Sequence, residues 1–87
     1  MASTVSSKKR IRQNARRRAV NRWRLRTMRA ALKDFQTAVA SGNRDEATAA
    51  FRTAGSVIDK TAQKGVIHRN QASRRKSRLN ARLKAMA

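Results

Sequence analysis

Apolar residues recur at alternating spacings of three and four in the second quarter of the chain. The positions are Leu25, Met28, Leu32, Phe35 and Val39. This spacing places them on one face of an α-helix, as in a helix packed in a bundle. Further upstream the equivalent positions hold Asn21, Arg18, Asn14 and Ile11. The stripe therefore fails there, and the N-terminal half of this helix has no face to offer to a protein core.

Two further apolar stripes follow. The first consists of Ala47, Ala50, Phe51, Ala54, Val57, Ile58 and Ala62, and the second of Ala72, Leu79, Leu83 and Met86. The chain has no proline and three glycines, a composition that favours helix nearly throughout. With 87 residues, 39% of them hydrophobic, there is room for one small domain. We therefore predict a single all-α domain, a three-helix bundle with a long, projecting N-terminal helix.

The helix boundaries are marked by local signals. Gly42 can end a helix in the left-handed conformation, and Asn43 can cap the next one with Glu46 in its first turn. Lys64 and Gly65 repeat the ending signal. These signals predict helices over residues 8–40, 44–63 and 68–86, preceded by a flexible tail over residues 1–7.

The predicted lengths have a geometric consequence. The first helix would be roughly 50 Å long, and the other two would be much shorter. Short connections make neighbouring helices antiparallel, so helix two would return only to about residue 24. We expect the first 15 or so residues of helix one to project about 20 Å beyond the bundle. The basic clusters at residues 22–29 and 69–78 would then converge at one end of the molecule.

Charge is distributed unevenly along the chain. The formal net charge is +19, from 23 lysines and arginines against four acids. Eleven cations and no acid lie in residues 1–29, and eight cations and no acid lie in residues 64–87. The middle of the chain holds four charges of each sign. Two basic ends at this density repel each other unless a polyanion neutralises them, so we expect a nucleic acid partner.

The basic N-terminal segment carries charges on every side of a helix. Its apolar residues, Ile11, Val20, Trp23 and Leu25, do not gather on one face, unlike those of an amphipathic membrane helix. A helix charged all round suits a crevice bounded by phosphates. Trp23 leaves two interpretations open: it stacks on an unpaired base, or it packs against the alkyl stems of nearby arginines.

His68 is the only histidine, and the chain has no cysteine. Metal ligation needs three or four donors and general acid–base catalysis needs a partner in a pocket, so neither role is supported for His68. Its remaining interpretations are a hydrogen bond to the backbone at a helix start and a contact to RNA. No nucleophile motif, paired carboxylates or phosphate-binding glycine loop is present. We therefore predict no enzyme activity, no catalytic residue, no cofactor and no metal.

The order KKRIRQN, a neutral centre headed by SGN, and then KGVIHRNQASRRKSRL resembles the S20 family of bacterial small-subunit ribosomal proteins over residues 8–87. The specific part is the block from Lys64 to Leu79. The resemblance implies a three-helix bundle that binds 16S rRNA directly and early in small-subunit assembly. It implies RNA contacts along the Lys8 to Arg22 helix and at the basic start of helix three. Trp23 departs from the family pattern.

The charge pattern and the resemblance together predict a set of RNA-binding residues. These are Lys8, Lys9, Arg10, Arg12, Gln13, Asn14, Arg16, Arg17, Arg18, Asn21, Arg22, Arg24, Arg26, Arg29, His68, Arg69, Asn70, Arg74, Arg75, Lys76 and Arg78. The predicted function is that of a structural constituent of the small ribosomal subunit, located in the cytoplasm, which binds 16S rRNA and bridges RNA stems. We expect no membrane partner, no small-molecule substrate and no homo-oligomer, while contacts with other small-subunit components remain open. The alternative is a histone-like DNA-compacting protein, which a preference for duplex DNA over structured RNA would support.

Overall fold

The computed structural model of the chain describes residues 2–86, with side chains described for residues 5–86. Three α-helices follow one another: α1 is Ala2–Ser41, α2 is Arg44–Gln63 and α3 is Arg69–Lys84. Within the described residues the backbone contains no β-strand. The predicted all-α fold with a long first helix is confirmed.

The observed helix bounds differ from the predicted ones mainly at the N-terminus. Helix α2 has the predicted bounds, and α3 begins one residue later and ends two residues earlier than predicted. Helix α1 begins at Ala2, six residues before the predicted start at Lys8. The prediction of a flexible tail thus falls largely on residues with helical backbone, while Met1 lies outside the described residues. Residues 2–7 lack apolar periodicity, but they also lack any helix breaker, so local hydrogen bonds can continue the helix.

The turn between α1 and α2 is held by side chains as well as by glycine. Gly42 has φ +78°, the left-handed conformation that favours glycine. The Ser41 hydroxyl donates to Ala38 O at 2.7 Å and accepts from Asn43 N–H at 3.4 Å. The Asn43 side chain then accepts from Glu46 N–H at 3.2 Å, capping α2. The side chains of Ser41 and Asn43 thus satisfy backbone groups that the ends of the two helices leave without a partner.

The turn between α2 and α3 forms a Schellman motif. Gly65 has φ +77°, and its N–H donates to Ala62 O at 2.9 Å. The N–H of Val66 donates to Thr61 O at 3.1 Å, which satisfies a second carbonyl at the end of α2. Ile67 follows and is buried. The turn is thus anchored both by hydrogen bonds and by an apolar side chain in the core.

All three helices contribute to one hydrophobic core. Its buried residues are Met28, Ala31, Phe35, Ala54, Ile58, Ile67, Ala72 and Leu79. The predicted stripe residues Leu25, Leu32, Val39, Phe51 and Leu83 pack against this cluster half-buried. The ring centroids of Phe35 and Phe51 lie 6.2 Å apart, a separation at which aromatic pairs attract. On α1, the core residues all lie in the half of the helix that carries the apolar stripe.

Helix α2 packs against both α1 and α3. The molecule measures 66 × 21 × 13 Å, and the 40 residues of α1, about 60 Å at 1.5 Å per residue, account for the longest dimension. Residues 5–20 are exposed without exception. We call residues 5–20 the projecting arm and residues 28–39 the bundle half of α1. Apart from its base, the arm is a helix that no other part of the described chain covers.

Candidate nucleic-acid interface

The projecting arm holds seven lysines and arginines and no acid. Every predicted contact in it is exposed: Lys8, Lys9, Arg10, Arg12, Gln13, Asn14, Arg16, Arg17 and Arg18. Since successive residues are rotated by about 100° around a helix, these side chains point to several sides. The arm can therefore neutralise phosphates that approach it from more than one direction.

A basic concavity of about 570 Å³ lies where the arm joins the bundle. We call it the basal cleft; it is lined by Arg16, Arg17, Val20, Asn21, Arg24, Lys64 and Gly65. The C-terminal turn of α2 brings Lys64 and Gly65 against α1, which extends the return of helix two slightly beyond the predicted residue 24. Lys64 was missing from the predicted set of RNA-binding residues. The signal that could have found it is its place as the last cation before a helix-ending glycine, on the helix predicted to return here.

A second concavity, of about 360 Å³, lies beside the basal cleft between α1 and α2. We call it the Trp23 groove; it is lined by Trp23, Arg24, Thr27, Val57, Lys60, Thr61 and Lys64. Trp23 is 64% exposed. No sequence pattern indicates that Lys60 is a neighbour of Trp23, because the two residues meet only when α2 packs against α1.

His68 caps α3. Its Nδ1 accepts a hydrogen bond from Asn70 N–H at 3.1 Å. The structure therefore contains the hydrogen bond to the backbone that was one of the two interpretations of His68. A neutral imidazole that accepts at Nδ1 carries its proton on Nε2. The His68 side chain is exposed. Capping the helix and donating from Nε2 to an RNA phosphate are therefore compatible roles.

The cations of α3 that were predicted to bind RNA fall into two groups. Arg69, Arg74 and Arg78 are exposed, as is the neighbouring Asn70. Arg75 and Lys76 are half-buried, and Lys76 Nζ lies 3.0 Å from a carboxylate oxygen of Asp59 on α2. The charge of Lys76 is thus balanced within the protein, unlike the charges of the arm.

The structure brings some of the predicted residues together but not all of them. Arg22, Arg26 and Arg29 are exposed on α1, whereas Asn21 and Arg24 are half-buried at the basal cleft. The turn that precedes α3 lies against residues 16–24, and the core joins Met28 to Ile67 and Ala72. The base of the arm and the start of α3 therefore lie at the same end of the bundle. The outer part of the arm lies apart from both.

In residues 2–86, as far as they are described, no three histidine, aspartate or glutamate side chains cluster so as to hold a metal ion. None of the described helices is both long enough and apolar enough to cross a bilayer.

Comparison with known proteins gives one consistent result. The sequence profile of the family described as Ribosomal protein S20 matches residues 2–84. The small ribosomal subunit protein bS20 of Nitrosomonas europaea is 50% identical over 86 residues, which cover 99% of each chain. The protein of the same name from Methylobacterium radiotolerans is 47% identical over 87 residues, covering 100% of this chain and 99% of the relative. That from Methylocella silvestris is 45% identical over 86 residues, covering 99% and 98%. The predicted resemblance is confirmed, and the chain belongs to the ribosomal protein S20 family.

Proposed function

We propose that this protein is a structural component of the small ribosomal subunit in the cytoplasm, where it binds 16S rRNA directly and helps assembly by holding separate RNA stems together. The names of its relatives place them in the small ribosomal subunit. Positioning of RNA, and no catalysis, is the whole of the proposed activity.

The observation that carries this proposal is the projecting arm. A helix with seven cations, no acid and only exposed residues gains little from a protein core, and its charges repel one another. Phosphates on several sides would relieve this repulsion and release their counterions on binding. The arm thus fits a crevice between RNA backbones better than a single flat surface.

A second RNA-facing surface supports the bridging role. Arg74 and Arg78 stand four residues apart on α3, both exposed, while Leu79 on the same helix is buried in the core. The core fixes α3 relative to α1, so the bundle sets the angle between the arm and the surface that carries Arg74 and Arg78. Two basic surfaces on one rigid frame can hold two RNA stems in a defined orientation.

Binding of a 16S rRNA transcript across a salt series tests the direct contact. We expect the affinity to fall steeply with salt, because phosphate neutralisation dominates the binding free energy. The double variant Arg16→Gln, Arg17→Gln should bind more weakly and lower the slope of log affinity against log salt by about 0.7 to 0.9 for each lost phosphate contact. The matched control is Arg44→Gln, Arg52→Gln, which removes two exposed arginines from the charge-neutral α2.

Three outcomes would contradict the proposal. One is a flat salt response. Another is an equal loss of affinity in the control variant, which would show that net charge alone matters. The third is tighter binding to duplex DNA than to 16S rRNA at the same salt, which would favour the histone-like alternative.

Chemical footprinting of the 16S transcript tests the bridging role. We expect the full-length protein to protect two separate stems. The Arg16→Gln, Arg17→Gln variant should lose protection at one stem, and an Arg74→Gln, Arg78→Gln variant should lose it at the other. Protection of a single stem that both variants weaken equally would leave RNA binding intact but contradict bridging.

A further inference from the structure

We propose that the Trp23 groove holds one unpaired base of the bound RNA, stacked on the Trp23 indole, with the adjoining phosphate held between Arg24 and Lys64. This inference rests on the proposed rRNA binding and names a contact within it.

The exposure of Trp23 is the first observation. Trp23 is 64% exposed and lies outside the core cluster, so the core does not enclose its ring. The other large exposed apolar residues, Val5, Ile11 and Val20, are aliphatic. Indole has a large aromatic face, and stacking of bases on aromatic side chains is a main source of affinity for unpaired RNA. Trp23 is therefore the exposed apolar residue best suited to contact a base.

The walls of the groove are the second observation. Val57 is half-buried and Thr61 is buried. The hydroxyl of Thr61 donates to Val57 O at 2.7 Å, and that of Thr27 donates to Trp23 O at 3.0 Å. Because both hydroxyl protons are taken up by the backbone, the two threonines offer no donor to a base edge. The groove therefore provides apolar contact and no threonine donor with which to distinguish one base from another.

Charge is the third observation. Arg24, Lys60 and Lys64 line the groove, and the lining residues among those described include no carboxylate. Three cations around an apolar floor match a nucleotide, which combines an aromatic base with an anionic phosphate. An apolar protein segment in the same place would have to desolvate these cations without compensation. The charge pattern thus favours RNA over a protein partner.

The position of the groove is the fourth observation. Arg24 and Lys64 line both the Trp23 groove and the basal cleft, so they stand between the two. An RNA backbone seated in the basal cleft can place a phosphate at Arg24 and Lys64 and turn the next base into the groove. The groove volume of about 360 Å³ is at the lower end of the roughly 300–1,000 Å³ typical of small-ligand clefts, which suits a single nucleotide and is too small to enclose a duplex.

Trp23 fluorescence tests the inference directly, because the chain has one tryptophan and no tyrosine. We expect binding of the 16S transcript to quench Trp23 emission. A single-stranded oligoadenylate should also quench it, and a blunt RNA duplex with the same number of phosphates per strand should quench it much less. This pair of probes separates base stacking from attraction to phosphate.

Two variants supply the second readout. Trp23→Leu keeps apolar bulk but loses the aromatic face, and it should weaken 16S binding by roughly 5- to 150-fold, the range for loss of one stacked base. Trp23→Phe keeps a ring and should lose less affinity than the leucine variant. Circular dichroism should show unchanged helix content for both, because Trp23 lies outside the core cluster.

The outcomes distinguish this inference from the proposed function. Tight 16S binding with unquenched Trp23 emission, or with a leucine variant that binds like the wild type, would overturn the inference and leave rRNA binding standing. Equal quenching by the duplex would overturn it by showing a response to phosphate alone. Emission that changes only in whole small subunits, and not with 16S rRNA alone, would assign the groove to a protein neighbour. Absence of any 16S binding would overturn both proposals.

Discussion

The two halves of α1 share one continuous helix but are stabilised in different ways. In the bundle half, Met28, Ala31, Phe35 and Ala38 are buried against the other helices. In the projecting arm every residue is exposed, and cations four residues apart, such as Lys8 with Arg12 and Arg12 with Arg16, repel each other by about 0.2–0.5 kcal/mol per pair. The bundle half is therefore stabilised by packing against the other helices, whereas the arm depends on its local helix propensity until a polyanion binds.

This difference separates the two tasks of the molecule. Burial of apolar side chains fixes the geometry of the bundle, and the arm leaves its charges free for RNA. A cation in the bundle can be balanced within the protein, as Lys76 is by Asp59. The arm has no such partner in its own segment, because the first acid in the sequence is Asp34.

The largest expected contrast between the two halves is in amide hydrogen exchange. In the free protein at low ionic strength, we expect residues 8–20 of the arm to exchange at nearly the rate of an unfolded chain, because opening there costs close to zero free energy. Core amides near Phe35 should exchange at least about a thousandfold more slowly if the bundle has the roughly 5 kcal/mol stability of a small domain. Addition of 16S rRNA should protect the arm. Strong protection of the arm without RNA would show that its helix needs no phosphates.

The next largest effect concerns packing. We expect Phe35→Ala to lower the free energy of unfolding by about 3–5 kcal/mol, since Phe35 is fully buried and its loss leaves a cavity. Ile11→Ala in the arm should change it by less than about 0.5 kcal/mol, because Ile11 is 66% exposed. Urea unfolding monitored by circular dichroism measures both values. Comparable losses would mean that the arm is part of the cooperative unit.

If Phe35→Ala leaves too little folded protein to measure, Ile58→Val is the milder variant of the same kind. It removes one methylene-sized group from a fully buried side chain and should cost about 0.5–1.5 kcal/mol. A cost near zero would contradict the description of the core.

Sequence patterns predicted the bundle better than they predicted the arm and its surroundings. The bounds of α2 follow from local signals at Asn43 and Gly65, which the structure uses as a cap and as a left-handed turn. The start of α1 was predicted too late, because apolar periodicity carries no information where a helix packs against nothing. The Trp23 groove could not be predicted, since it depends on how α2 packs across α1. The burial of Thr61 was missed because its hydroxyl is satisfied by its own helix, which a polarity pattern does not reveal.

Gly42 and Gly65 have the same backbone conformation but lie at the two ends of α2. Gly42→Ala and Gly65→Ala should each destabilise the bundle by about 1–2 kcal/mol, because both positions have φ near +77°, which strains the backbone of an alanine. Nothing lies within 4 Å of an added Cβ at either position, so no steric clash adds to this cost. Only Gly65 lines the basal cleft, so only Gly65→Ala should also weaken 16S binding. Equal effects of the two variants on RNA affinity would show that the basal cleft does not contact the RNA.

Gly55→Ala is the matched control for these two variants. Gly55 lies inside α2, and an added Cβ would be 3.9 Å from Lys76 Cε, an ordinary contact. We therefore expect alanine to stabilise the helix by about 0.5–1 kcal/mol. Thermal unfolding of the three variants should order them with Gly55→Ala above the wild type and the other two below it.

The smallest expected effect is that of Asp59→Asn, which removes the carboxylate facing Lys76. The two side chains are 58% and 40% exposed, so water screens the pair and its loss should cost at most about 1 kcal/mol of stability. The change frees one cation on the α3 surface, so 16S binding should tighten, and the salt slope should steepen by up to about 0.7–0.9 if Lys76 then reaches a phosphate. Asp34→Asn makes the same change in net charge from an exposed position on the bundle half of α1. If both variants tighten binding equally, the change in net charge is sufficient to explain the gain in RNA affinity. If only Asp59→Asn does so, a cation of the bundle contributes to RNA binding only when no carboxylate of the protein is paired with it.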